Sequence, residues 1–158
     1  MDIFWQELTN GFPDSQLFIK VTIRLVAAIF LGAAIGLQRE RVGKPAGLRT
    51  HVLVTLGTCV FVVGCEGFGM SSDGLSRVIQ GIVTGIGFIG AGSILKLNDE
   101  RDVKGLTTAA SVWMAAAIGV AVGLGGLGLA ILATVLTLII LTFVGSFENR
   151  VDSQNKED

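Results

Sequence analysis

Residues 127–145 read LGLAILATVLTLIILTFVG, a run with no charged side chain and only Thr134, Thr137 and Thr142 as polar interruptions. Wound as a helix at about 1.5 Å per residue, such a run covers roughly the 30 Å of a bilayer's hydrocarbon core. Four more apolar segments precede it, so the set runs 20–37, 51–68, 78–95, 106–122 and 126–145. Each falls within or close to the range of about 17–25 residues that a spanning helix needs. None carries a polar face repeating every 3.6 residues, as a helix of a water-soluble bundle would. The expectation is an all-α integral membrane protein, a compact bundle of about five transmembrane helices.

Composition agrees. The 158 residues are 51% hydrophobic and 16% charged, with 22 glycines and two prolines, and the mean hydropathy is +0.69. Soluble domains carry roughly 25% charged residues. A net charge of −1 gives no basic footprint, so nucleic acid is not an expected partner. Cys59 and Cys65 are six residues apart, about 240° around a helix, which forbids a disulfide and implies packed thiols. The single histidine, His51, has no Cys or His at metal-ligand spacing, so no metal and no cofactor is expected.

The chain divides into an N-terminal interfacial segment (1–17), a transmembrane domain (18–147) and a charged tail (148–158). Phe4, Leu8 and Phe12 recur at four-residue spacing beside Trp5, the pattern of a short helix lying on a membrane interface. Asp2 and Glu7 stand where a signal peptide would be basic. Lys and Arg are unevenly distributed among the loops. Arg39, Arg41, Lys44 and Arg49 follow the first segment, Lys96, Arg101 and Lys104 the third, and Arg150 and Lys156 the fifth. The other side has Lys20, Arg24 and Arg77. The positive-inside rule then places the N-terminus outside and the C-terminus in the cytoplasm.

Helices in lipid associate through close backbone packing at small residues. Rows at four-residue spacing occur at Ala28, Gly32 and Gly36, and at Ser111, Ala115, Gly119 and Gly123. Gly81, Gly85 and Gly92 form a third row, with Gly87 and Gly90 between them. These glycines are read as helix-packing positions, within a chain or between copies of a homo-oligomer. The stretch GIGFIGAG (85–92) also fits the G-x-G-x-x-G pattern of dinucleotide loops. Such a loop follows a strand, opens a helix and is answered by an acid about 20 residues on. Here no βαβ alternation surrounds it, and Asp99 and Glu100 come too soon. Gly43-Lys44-Pro45 lacks the leading glycine and the Ser/Thr of a P-loop. No nucleotide is expected.

The remaining polar residues are costly in a membrane and mark candidate sites. Arg24, one turn into the first span, is read as reaching for the outer headgroups, and Glu66 as a hydrated carboxylate at the outer rim. Glu40 and Arg49 flank a loop broken by Pro45 and Gly47, where they could pair or contact a ligand. Thr107, Thr108 and Ser111 open the fourth span, bonding to carbonyls or a neighbouring helix or facing a wet vestibule. No nucleophile, base and oxyanion site assemble, so an enzyme is not expected.

Four blocks carry a resemblance: GAAIGLQRE (32–40), KPAGLRTHVLVTLG (44–57), GIGFIGAGSI (85–94) and VKGLTTAASVWMAAAIG (103–119). In that order they resemble the MgtC/SapB family of bacterial inner-membrane proteins, over about residues 21–145, in a short form without a C-terminal soluble domain. The shared segments fall on Gly36, Arg39 and Glu40; on Gly47, Leu48, Arg49 and Thr50; and on Gly87, Phe88, Gly90, Ala91 and Gly92. They finish at Gly105, Thr107, Thr108, Ala109, Ala110 and Trp113, beside Lys104. The resemblance implies a plasma-membrane protein linked to growth in low magnesium and, in some pathogens, to survival in host cells. It implies a regulator of other membrane proteins, such as the proton-driven ATP synthase. Where longer members carry the soluble domain, this sequence has only its short tail, so sensing by that domain is not expected. Met114 stands where some members have Cys, so a role resting on that thiol does not transfer.

Three functions are consistent with these residues: a membrane regulator, a transporter or channel for Mg²⁺ or another ion, and a sensor built on His51 and Glu40. Mg²⁺ sheds water reluctantly and wants carboxylates or carbonyls around it. Glu40 and Glu66 lie near opposite ends of the spans with no carboxylate between them, which favours the regulator.

Overall fold

The computed structural model describes residues 3, 15–96 and 103–144. The interfacial segment expected around Phe4, Trp5, Leu8 and Phe12 and the tail 148–158 lie outside the described residues. Helix α1, Ser15–Arg41, contains the first predicted span and extends it at both ends. Arg39 and Arg41 sit in its last turn, where cations offset the exposed carbonyl dipoles. The chain leaves through Gly43, whose φ of +67 suits glycine, and reaches α2, Leu48–Gly67. Helix α3, Ser72–Ala91, starts six residues before the apolar run because Ser71 caps it, accepting from Gly74 N at 3.3 Å, and Asp73 favours its first turn. GIGFIG is helical throughout and is preceded by more of the same helix, unlike a nucleotide loop.

A two-residue antiparallel ladder, β1 (Leu95–Lys96) against β2 (Val103–Lys104), precedes α4, Leu106–Gly123. Gly105, between β2 and α4, has φ +100, and a Cβ there would overlap Ser93 O. Helix α5, Leu127–Ile139, continues as a π-helical turn, Ile140–Val144. Helices α1 to α4 are each long and apolar enough to cross a membrane, and α5 is the shorter apolar helix completing the bundle.

Helix α4 is central, touching the other four, and α1 and α2 pack along each other. One core joins Ala28 and Ile35 of α1, Cys59 of α2, Ile118 and Val122 of α4 and Ala130 of α5. A second joins Ala46 of the first loop to Ile86 of α3 and Val112 and Ala116 of α4. Both cysteines are buried and unbridged. Phe30 of α1, Leu53 and Phe61 of α2, Phe88 of α3, Leu129 of α5 and Phe143 of the π-helical turn are exposed. A surface this apolar suits a bundle whose solvent is hydrocarbon, and the protein is an all-α membrane bundle.

The glycine rows divide. A Cβ on Gly32 would sit 2.6 Å from Thr55 Oγ1, one on Gly36 2.6 Å from Leu48 Cα, and one on Gly123 2.7 Å from Val62 Cβ. On Gly119 it would overlap Thr58 Oγ1 and the carbonyl of Thr55. These four glycines of α1 and α4 let both helices lie directly on α2. Gly90 is in ordinary contact with Ala109, and Gly92 meets only the carbonyls of Phe88 and Ile89. Gly81, Gly85 and Gly87 have nothing within 4 Å. Within one chain the third row is therefore unfilled. Gly81 and Gly85 instead line an apolar groove of about 670 Å³ between α2 and α3, onto which Gly57 and Phe61 also open.

Candidate functional site at the basic end of the bundle

Arg39, Arg41, Lys44, Arg49 and Lys104 gather at the end of the bundle where α1 stops and α2 and α4 begin. The two starting helices lie side by side there. His51, in the first turn of α2, presents Nε2 to Ser111 Oγ of α4 at 3.1 Å. Its Nδ1 lies 2.9 Å from Gly47 O, which can only accept, so Nδ1 carries the hydrogen. With the ring neutral, Nε2 is an acceptor. The single Ser111 proton then has two claimants, His51 Nε2 and the carbonyl of Thr108 at 2.8 Å.

Arg39 comes from α1, one turn beyond the contact of Gly36 with Leu48. Its side chain is 3% exposed, yet Nη2 donates only to the neutral Thr108 Oγ1, at 3.2 Å. Its Nε is buried with no acceptor, and no carboxylate pairs with it among the described residues. A guanidinium in this state is expensive, since burying a charge without a counter-charge costs several kcal/mol. Beside it, Gln38 donates to Leu141 O at 3.4 Å in the π-helical turn, while its own Oε1 is buried without a partner among the described residues.

The Glu40–Arg49 pair, one of the two readings of this loop, does not form. Glu40 Oε2 instead accepts from Leu48 N at 2.9 Å, and Arg49 is exposed. The physical reason is proximity to a helix N-terminus, whose free N–H groups compete for a carboxylate. Thr50 is half-buried in the same turn, and Thr107 and Lys104 are exposed beside the buried Thr108. Trp113 lies exposed near Ile82 and Ile86 of α3, away from the Arg39–His51 cluster. The structure thus joins Arg39 to Thr108, keeps Glu40 as a backbone cap, and leaves Arg49, Thr107 and Trp113 facing outward.

Sequence reasoning missed the opposite end. Arg24 does not reach for headgroups. Its Nη1 donates to Glu66 Oε2 and to Gly123 O, the latter at 2.9 Å, tying α1 to α2 and α4. Glu66 remains 55% exposed, so the rim reading describes its solvation and not its partner. Gly125, at φ +83, lets the α4–α5 turn pass close to the same guanidinium. Buried hydroxyls elsewhere bond to their own helix, as Thr55 does to His51 O at 2.7 Å and Thr134 to Ala130 O at 2.8 Å. No cluster of three or more metal-ligating side chains occurs among the described residues.

Comparison with known proteins gives a consistent set. A family model described as the MgtC family matches residues 25–150. The protein SrpB of Synechococcus elongatus is 42% identical over 136 residues, covering 79% of this chain and 75% of SrpB. A putative magnesium transporter, YhiD, of Escherichia coli K12 is 44% identical over 140 residues, 84% of this chain and 64% of YhiD. The protein MgtC of Salmonella typhimurium is 41% identical over 125 residues, 79% of this chain and 52% of MgtC. The chain thus spans less than two thirds of the length of the last two. No solved structure matches it significantly.

Proposed function

The chain belongs to the MgtC family, and from that premise we propose that it is a non-enzymatic regulator in the bacterial plasma membrane, serving magnesium homeostasis. The observation that carries the choice of regulator is Arg39. A Mg²⁺ path through the bundle would meet a buried guanidinium at its basic end, with no carboxylate paired to it among the described residues. Repulsion between a divalent cation and a fixed cation is strongest where water is excluded. Two of the described carboxylates are committed elsewhere, Glu40 to Leu48 N and Glu66 to Arg24. Of the relatives, YhiD carries the name of a putative magnesium transporter, which keeps ion transport as the second reading.

A regulator needs surfaces for partners. Helix α3 offers the unfilled Gly81–Gly85 face, and we assign it to a second copy of this chain in a homo-oligomer. The basic end, placed in the cytoplasm by the positive-inside rule, offers Arg41, Lys44, Arg49 and Thr107 to a membrane partner such as the proton-driven ATP synthase. A reporter fused after Asp158 should be active only as a cytoplasmic fusion; activity confined to the outside would reverse this topology. Cells lacking the protein should grow poorly at limiting Mg²⁺ while their initial rate of Mg²⁺ uptake stays normal. A matching loss of uptake would favour the transporter.

A further inference from the structure

We propose that the basic end holds a binding site for a phosphate group, formed by the Arg39 guanidinium and the first turn of α4. This goes beyond the regulatory reading and does not depend on it.

Two helix N-termini meet here, both begun by glycines, Gly47 and Gly105, that supply no capping side chain. That of α2 is partly answered by Glu40 on Leu48 N. That of α4 is not: the N–H groups of Leu106, Thr107 and Thr108 have no acceptor among the described residues. A long helix with its first N–H groups unspent attracts an anion. Arg39 supplies the independent second observation. It is 97% buried by its 3% exposure, it reaches into this same turn at Thr108, and its Nε has no acceptor. A guanidinium is built to give parallel hydrogen bonds to an oxyanion, and here part of its fork is unused.

The hydroxyls point the same way. Thr22, Thr55, Thr58, Thr84, Thr134 and Thr137 all donate to a carbonyl four residues back in their own helices. Thr107 and Thr108 make no such bond, because the residues four back, Val103 and Lys104, belong to β2 and not to the helix. Among the described residues neither hydroxyl has an acceptor, so both can donate to an incoming one. Thr107 is exposed and Thr108 is 2% exposed, so the pair leads from the surface inward to Arg39. Arg41, Lys44 and Arg49, exposed at the same end, bias the approach toward anions, and the one described carboxylate there, Glu40, is occupied by Leu48 N. A phosphate has enough oxygens to meet a guanidinium, two hydroxyls and backbone N–H groups together. It could come from a lipid headgroup or from soluble phosphate.

The test uses the full chain, purified in detergent and stripped of lipid. Thermal unfolding and calorimetric titration are followed with inorganic phosphate, with a short-chain phosphatidylglycerol, and with chloride at matched ionic strength. One of the two phosphate probes should raise the unfolding midpoint beyond chloride, and which one responds assigns the source. Arg39→Gln should weaken that probe's binding by about tenfold or more, Arg39→Lys by less, and Arg49→Gln by less than about twofold. If Arg39→Gln fails to fold, a Thr107→Ala/Thr108→Val double variant takes its place, with loss of binding expected. No response of the wild-type chain to either probe would overturn the proposal. So would equal binding by a folded Arg39→Gln or by the threonine double variant.

Discussion

At the scale of single residues, the chemistry is decided by what lies within about 3 Å, which sequence spacing does not reveal. Arg39 and Glu40 are neighbours in sequence and in a shared motif, yet one is buried against Thr108 and the other faces out and caps α2. This separation makes a prediction. Glu40→Ala should cost about 1 kcal/mol of stability, as loss of a cap does. Combined with Arg49→Gln the losses should add, because the two side chains do not touch. A coupling above about 0.5 kcal/mol in the double-mutant cycle would restore the ion pair that spacing allows. The Arg24–Glu66 tie shows why such partners are hard to read in advance. The residues are 42 positions apart, and only helix rotation decides whether Arg24 turns to lipid or inward.

At the scale of elements, the apolar runs were legible because hydrocarbon imposes a length, and five runs became five helices. The boundaries moved where capping chemistry outweighed hydropathy, as at Ser71 and Asp73 of α3. Small-residue rows were legible too, but their partners were not: a row says that something approaches, and packing alone says what. Gly119 and Gly81 illustrate the two outcomes. Gly119→Ala should destabilise the chain by about 2–3 kcal/mol, because the added carbon overlaps α2 backbone. Gly81→Ala should change stability by less than about 1 kcal/mol, since nothing lies within 4 Å. Gly81→Leu should leave the chain folded and lower the oligomer size in cross-linking or light scattering. An unchanged oligomer would remove α3 as the interface, and equal damage at Gly81 and Gly119 would contradict the packing.

At the scale of the whole molecule, membership of the MgtC family and an all-α membrane bundle fix the setting. The functional choice rests on the sign of the charge inside. A cation path is stabilised by buried negative charge or aligned carbonyls, and this bundle buries Arg39 instead. Its polar interior residues, His51, Thr55, Thr108 and Ser111, are packed against one another or against backbone. The family motifs could be read from sequence, but their convergence could not, since α1, α2 and α4 meet only once folded. The most direct measurement is Mg²⁺ flux into liposomes containing the purified full-length chain, followed with an internal Mg²⁺ indicator under an imposed gradient. The account predicts a rate equal to that of protein-free liposomes, unchanged by Arg39→Gln in correctly folded protein. Flux that scales with the amount of protein would contradict it.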